Sequence, residues 1–206
     1  MTYKKAENSN AKLSIRDVNK TFTVGKKETI QALRDVTFDV KENEMCVLLG
    51  PSGCGKSTVL RMMAGLETPS SGTLLLDDKQ ILGPDRDRGM IFQSYTSFDW
   101  LSVQRNVEYG MQLNAISKAE RKERAEHFIE LVGLTKFRGA FPNQLSGGMK
   151  QRVAIARTLA NDPSVILMDE PFGALDAETR WQMQELMLSI LEESDSTVVM
   201  VTHDIE

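Results

Sequence analysis

The chain has 206 residues, 41% of them hydrophobic and 26% charged, and a formal net charge of −4, the balance of one ordinary globular domain with room for a substantial core. No apolar run approaches the ~20 residues that span a bilayer, no Lys/Arg-rich stripe offers nucleic acid a footing, and residues 1–12 are polar, without the apolar centre of a secretion signal. Cys46 and Cys54 show neither CxxC nor His–Cys spacing, so they read as reduced thiols of a cytoplasmic protein rather than as zinc ligands.

Residues 13–23 and 36–40 alternate apolar with polar side chains, the pattern of half-buried antiparallel strands. Residues 45–49 are a continuous apolar run, which predicts a central parallel strand that buries Cys46. That run enters Gly50-Pro51-Ser52-Gly53-Cys54-Gly55-Lys56-Ser57, a complete G-x-x-x-x-G-K-[ST] loop. Val59, Leu60, Met63 and Leu66 then keep helical spacing until Thr68-Pro69-Ser70-Ser71-Gly72 breaks it. Residues 73–76 and 89–92 are short strands. From about 101 to 144 the pattern turns helical, with Ser117 and Glu120 as a capping box and Ala125, Phe128, Ile129 and Val132 as one apolar stripe. Residues 149–160 form another helix and 165–168 a buried strand. Asp176 caps a helix whose apolar face is Met183, Leu186, Met187 and Ile190, and 198–201 form a third core strand. Strands alternating with helices indicate an α/β core with a parallel sheet, interrupted by a helical block at about 96–150.

A triphosphate is a dense cluster of negative charge, and binding it takes backbone N–H donors at close range. Gly50, Gly53 and Gly55 permit that wrap, and a helix starting near Lys56 directs its positive end at the phosphates. Lys56 supplies a point charge between the β- and γ-phosphates, and the Ser57 hydroxyl a ligand for Mg²⁺. Pro51, Ser52, Cys54 and Thr58 complete the nucleotide-binding stretch. Val165-Ile166-Leu167-Met168 followed by Asp169-Glu170 brings two acids to the carboxyl end of a buried strand. Gln93 ends the strand before the helical block. Leu145-Ser146-Gly147-Gly148-Met149-Lys150-Gln151 is a second glycine-rich turn opening a helix, and its N-terminal amides suit an anion.

These motifs, with Pro171-Phe172-Gly173-Ala174-Leu175-Asp176 and the strand-end His203, resemble the ATP-binding cassette (ABC) ATPases over nearly the whole chain. The resemblance implies a P-loop NTPase fold: a parallel-sheet core with an antiparallel β subdomain (about 1–95 and 151–206) and an inserted helical subdomain (about 96–150). It makes Glu170 the group that polarises the attacking water, Asp169 and Gln93 partners of Mg²⁺, His203 a sensor of the γ-phosphate and Phe22 the ring that stacks on adenine. Ser146, Gly147, Gly148 and Asp176 then belong to a site shared with a second cassette, so that ATP and Mg²⁺ are bound by a head-to-tail homodimer. Phe22 replaces the commoner Tyr, Lys150 the frequent Arg, and Asp99 a frequent Pro.

Phe172-Gly173-Ala174-Leu175-Asp176 and Trp100-Leu101-Ser102-Val103 look most like the nitrate/sulfonate/taurine-type importers. That implies ATP-driven import of a small anion through separate integral membrane permease subunits, at the cytoplasmic face of the inner membrane, with an extracytoplasmic solute-binding protein in the system. Tyr95, Phe98 and Trp100 make the loop 94–103 the expected permease contact. The alternatives are a soluble, non-transport ABC ATPase of DNA repair or translation, or a weakly active cassette. Family members usually run on past the histidine, so the C-terminal end is expected to be truncated.

Overall fold

Long alternating segments near the N-terminus become paired strands in the computed structural model of the protein, which describes residues 11–25, 28–173, 175–192 and 195–203. Packing divides the chain into two compact units, Met1–Asp85 with Ser196–Glu206, and Arg86–Asp195.

In the first unit, β1 (Ala11–Val24) lies between β2 (Glu28–Lys41) and β4 (Ser71–Leu76), and β4 pairs onward with β5 (Lys79–Gln80), all antiparallel. Register pairs Leu13 with Val40 and Leu76, and Ile15 with Phe38 and Leu74, which lines apolar residues along one face. Leu13, Ile15 and Val18 are fully buried there. Strand β2 begins well before the predicted 36–40. Its early residues pair with 20–24 in a ribbon whose side chains are mostly exposed, so no hydrophobic alternation marks them.

A parallel pair completes this unit: β3 (Met45–Leu49) runs in register with β8 (Thr197–Thr202), from Met45↔Val198 to Leu49↔Thr202. Helix α1 (Lys56–Met63) packs on β8 and β2. The expected burial of β3 is corrected. Met45, Val47 and Leu49 are 45–52% exposed, Cys46 and Leu48 half-buried, and β3 forms an edge paired with β8 alone. A run of consecutive apolar residues does not distinguish a strand covered on both faces from one covered on a single face. Both cysteines are free thiols; partial burial, and next the nearby Glu44 charge, push the Cys46 thiol up from its ordinary value.

In the second unit, β6 (Arg88–Ile91) pairs in parallel with β7 (Val165–Asp169), and every residue of β7 is buried. Helices α2 (Val103–Leu113), α3 (Lys118–Leu131) and α4 (Gly147–Leu159) pack on one another, and α4 also packs on β6. Each of these helices starts at a serine cap: the hydroxyls of Ser102, Ser117 and Ser146 accept from the N–H groups of Arg105, Glu120 and Met149, each at 3.3 Å. Helix α5 (Ala177–Glu192) follows Asp176 and buries Met183, Met187 and Ile190, with Leu186 half-buried beside them. No helix of the described residues is long and apolar enough to cross a membrane.

The loop between β6 and α2 is fixed by a side chain the apolar pattern does not reveal. Asn106, fully buried on α2, accepts from the Phe98 N–H (2.8 Å) and donates to the carbonyls of Phe98 (3.1 Å), Leu101 (2.9 Å) and Ser102 (3.1 Å). Removing it strands several backbone groups away from water. Asn106→Ala is expected to destabilise the chain by about 3 kcal/mol, read as a lower urea midpoint with an unchanged slope.

Candidate functional site

Strand β3 delivers the chain into the glycine loop, and the loop turns at once into α1. Gly53 (φ 80°) and Gly55 (φ 100°) adopt left-handed backbone that side-chain-bearing residues rarely take. At Gly55 space is also lacking: a Cβ there would lie 2.6 Å from Leu33 Cδ2 and 2.7 Å from the Ala32 carbonyl. Gly55 is the N-cap of α1, and no side chain caps that end. Pro51, Ser52, Gly53 and Cys54 are exposed, while Gly50, Gly55, Lys56, Ser57 and Thr58 are half-buried.

The Lys56 ammonium curls over this end of the helix, donating to the Gly50 carbonyl at 2.6 Å and the Pro51 carbonyl at 2.8 Å, with Cys54 Sγ 3.8 Å away. A cation held by the loop's own carbonyls, above an uncapped helix N-terminus, is a donor set matched to a polyphosphate. In the same unit Phe22 sits half-buried on β1 opposite Ile30, with Lys20 Nζ 4.8 Å from its ring centroid. His203 is exposed in the bend after β8.

The second unit gathers the other candidates. Asp169 ends β7 and is buried. Glu170 follows with φ 46°, a left-handed residue that carries a side chain. Its Oε2 accepts from Gln93 Nε2 at 2.9 Å, so two residues far apart in sequence meet at the carboxyl ends of the paired strands β6 and β7. Ser146, Gly147 and Gly148 of the second glycine-rich turn, the signature turn, open α4, the signature helix, and Asp176 Oδ1 and Oδ2 accept from the Thr179 N–H (3.0 Å) and hydroxyl (2.7 Å). Those two hydrogen bonds hold the Asp176 carboxyl below its ordinary value.

Two side chains of α4 that carry no role of their own in the sequence reading also lie here. Gln151, buried on α4, donates to the Pro171 carbonyl at 2.7 Å and so ties the turn after Glu170 to the signature helix. Arg157, also on α4, donates to the Thr96 carbonyl at 2.7 Å and the Thr96 hydroxyl at 2.6 Å. The available signal was slight, since Lys150, Gln151, Arg152 and Arg157 are all long polar side chains on α4 and nothing in the sequence sets two of them apart.

Residues 33–173 match the ABC transporter family. The chain belongs to that family. It is 49% identical over 203 residues to an uncharacterised ABC transporter ATP-binding protein of Methanocaldococcus jannaschii, covering 98% of this chain and 76% of the relative. Identity is 47% over 194 residues to the nitrate import ATP-binding protein NrtD of Synechocystis sp., covering 94% and 73%. It is 46% over 194 residues to the taurine import ATP-binding protein TauB of Roseobacter denitrificans, covering 94% and 72%. Among solved structures, the dimeric post-hydrolysis state of the ATP-binding cassette MJ0796 bound to ADP and Pi superposes with a TM-score of 0.84 at 39% identity, covering 94% of this chain and 88% of that one. The expected α/β P-loop fold, with its antiparallel β subdomain and helical insertion, is therefore the fold of this ABC cassette, and its activity is ATP hydrolysis.

Substituting Gly55 in this ABC cassette puts a Cβ into backbone and strains φ together. Gly55→Ala is expected to destabilise by about 2 kcal/mol and to weaken ATP binding at least tenfold. Thermal unfolding and calorimetric titration with ATP measure the two effects separately.

Proposed function

We propose that the chain is the ATP-hydrolysing subunit of a transporter that imports a small anion of the nitrate, sulfonate or taurine class through separate permease subunits. It acts as a head-to-tail homodimer at the cytoplasmic face of the inner membrane, in a system that includes an extracytoplasmic solute-binding protein. The solute class rests on identities of 46–47% to nitrate and taurine import ATP-binding proteins. The catalytic reading rests on one observation: a carboxylate one residue beyond a buried strand, hydrogen-bonded to a glutamine two residues beyond the end of the neighbouring strand.

Gly50, Gly53, Gly55 and the first turn of α1 bind the phosphates through backbone N–H groups, and Lys56 exchanges its two carbonyl partners for phosphate oxygens. Phe22 offers a ring face to adenine. Glu170 accepts the hydrogen bond of the attacking water and orients it toward the γ-phosphorus, and His203 bonds the γ-phosphate oxygens. Ser146, Gly147 and Gly148 of one cassette close on nucleotide held by the other, with Asp176 beside that junction. Mg²⁺, when bound, neutralises charge on the β- and γ-phosphate oxygens. Ser57, Asp169 and Gln93 are the residues assigned to hold it. Among the described residues no group of three or more His, Cys, Asp or Glu side chains forms a metal cluster, and Asp169 is a buried strand-end carboxylate. The buried Asp169 carboxylate fits Mg²⁺, which is usually held through one or two carboxylates and completes its shell with phosphate and water.

Glu170→Gln keeps the shape and a hydrogen-bonding side chain but loses the charge that polarises water. ATP affinity is expected to stay within threefold of the wild type, turnover to fall at least a hundredfold, and a dimer to accumulate in Mg-ATP on size exclusion. A monomeric variant with normal hydrolysis would remove Glu170 from its role.

Trp100 is 73% exposed, its ring 5.3 Å from that of Phe98, and Phe98 in turn lies 4.6 Å from Tyr109. An indole displayed on an aromatic base is a typical interface anchor. Trp100→Ala is expected to leave basal ATPase of the isolated cassette within twofold of wild type. In vesicles reconstituted with the membrane subunits, uptake of labelled nitrate or taurine should fall at least tenfold; equal losses in both assays would make Trp100 a packing residue instead.

A further inference from the structure

Helix α4 begins at the signature turn, and its last turn carries Arg157, which the chemistry above does not use. The guanidinium is half-buried, and that desolvation lowers its affinity for its proton. Both of its hydrogen bonds go to one residue, Thr96, through Nη1 to the carbonyl (2.7 Å) and Nη2 to the hydroxyl (2.6 Å). Its carbon also lies 5.1 Å from the Phe98 ring centroid. A half-buried guanidinium whose fork meets a backbone carbonyl and a hydroxyl gives up charge pairing for geometry, because the planar fork fixes two acceptors at once.

Thr96 and Phe98 lie just after Gln93. The same short segment touches the other end of α4, where a Cβ on Gly147 would sit 2.4 Å from the Tyr95 hydroxyl oxygen. The segment is thus held against both ends of the signature helix, while Gln93 at its start bonds Glu170. We propose that Arg157 is a positioning residue for ATP hydrolysis, fastening the Gln93 segment to α4 so that the Ser146–Gly148 turn and Gln93 move as one arm. The fork thereby sets where Gln93 stands against Glu170, just as Gln151 on the same helix sets the Pro171 turn that follows Glu170. The inference rests on the roles given above to Glu170, Gln93 and the signature turn; the Arg157–Thr96 link stands on its own distances.

Thr96→Val removes one acceptor of the fork and keeps the shape, and Thr96→Ser restores it. In Thr96→Val, kcat per folded chain is expected to fall about tenfold, the loss of one charge-assisted hydrogen bond. Nucleotide affinity, set at Lys56, should stay within twofold, and amide hydrogen exchange across residues 94–101 should rise at least fivefold with α3 unchanged. Thr96→Ser should match the wild type. Arg157→Lys, which keeps charge but loses the fork, should reproduce Thr96→Val, and the double variant should be no worse than Arg157→Lys alone. The proposal is overturned if Thr96→Val lowers only the melting temperature, if Ser and Val behave alike, or if the two substitutions add. Should Arg157→Lys not fold, the Thr96 pair decides alone. A wild-type chain without turnover would overturn the catalytic reading, whereas unchanged exchange at 94–101 would overturn the link, so the two failures read out separately.

Discussion

Close packing of one helix sets the geometry of the second unit. Helix α4 lies on α2, α3 and β6, and its polar side chains reach out of that core to hold backbone that has no regular structure. Gln151 takes the Pro171 carbonyl after Glu170, and Arg157 takes Thr96 after Gln93. Loops left to water would sample many conformations at a cost of ~1–2 kcal/mol per residue to fix. Here a rigid helix bears that cost once, and the reacting ends of β6 and β7 inherit its precision. The same logic explains Asn106, which replaces water for four backbone groups of the β6–α2 loop.

The glycine loop of the first unit solves a different problem. On the proposed role of Lys56 its ammonium must be stable before phosphate arrives, and it bonds the carbonyls of Gly50 and Pro51 meanwhile. Those bonds are neutral-acceptor contacts, weaker than bonds to a phosphate oxygen, so the exchange favours the ligand. The glycines make the arrangement possible, since at Gly55 the neighbouring strand leaves no room for a side chain.

The motifs of the candidate site are local patterns in the sequence, whereas parts of the sheet are not. Glycine spacing around Lys56, the acids after 165–168 and the serine turn at 146 are local chemical requirements, and each is met within a few consecutive residues. The contact between Gln93 and Glu170 is not local, and only the parallel pairing of β6 with β7 brings those residues together. The early part of β2 was illegible because an exposed two-stranded ribbon imposes no hydrophobic period. Strand β3 misled for the opposite reason: five apolar residues in a row gave no sign of which face would stay open. Arg157, Gln151 and Asn106 carry no role of their own in the sequence reading, because a polar side chain that holds loop backbone is recognisable only once its partners are in place.

Glu170 carries a cost of its own. Its φ of 46° lies where glycine or asparagine rests at little penalty and a longer side chain pays roughly 1–3 kcal/mol. Laboratory evolution scored on folding alone would therefore nominate this position early and replace the glutamate with glycine or asparagine. The selected population would become harder to melt while losing the carboxylate that bonds Gln93. On the catalytic role proposed for Glu170, thermal robustness and turnover are opposed at this one backbone angle, and a campaign to harden the cassette has to hold residue 170 out of its library.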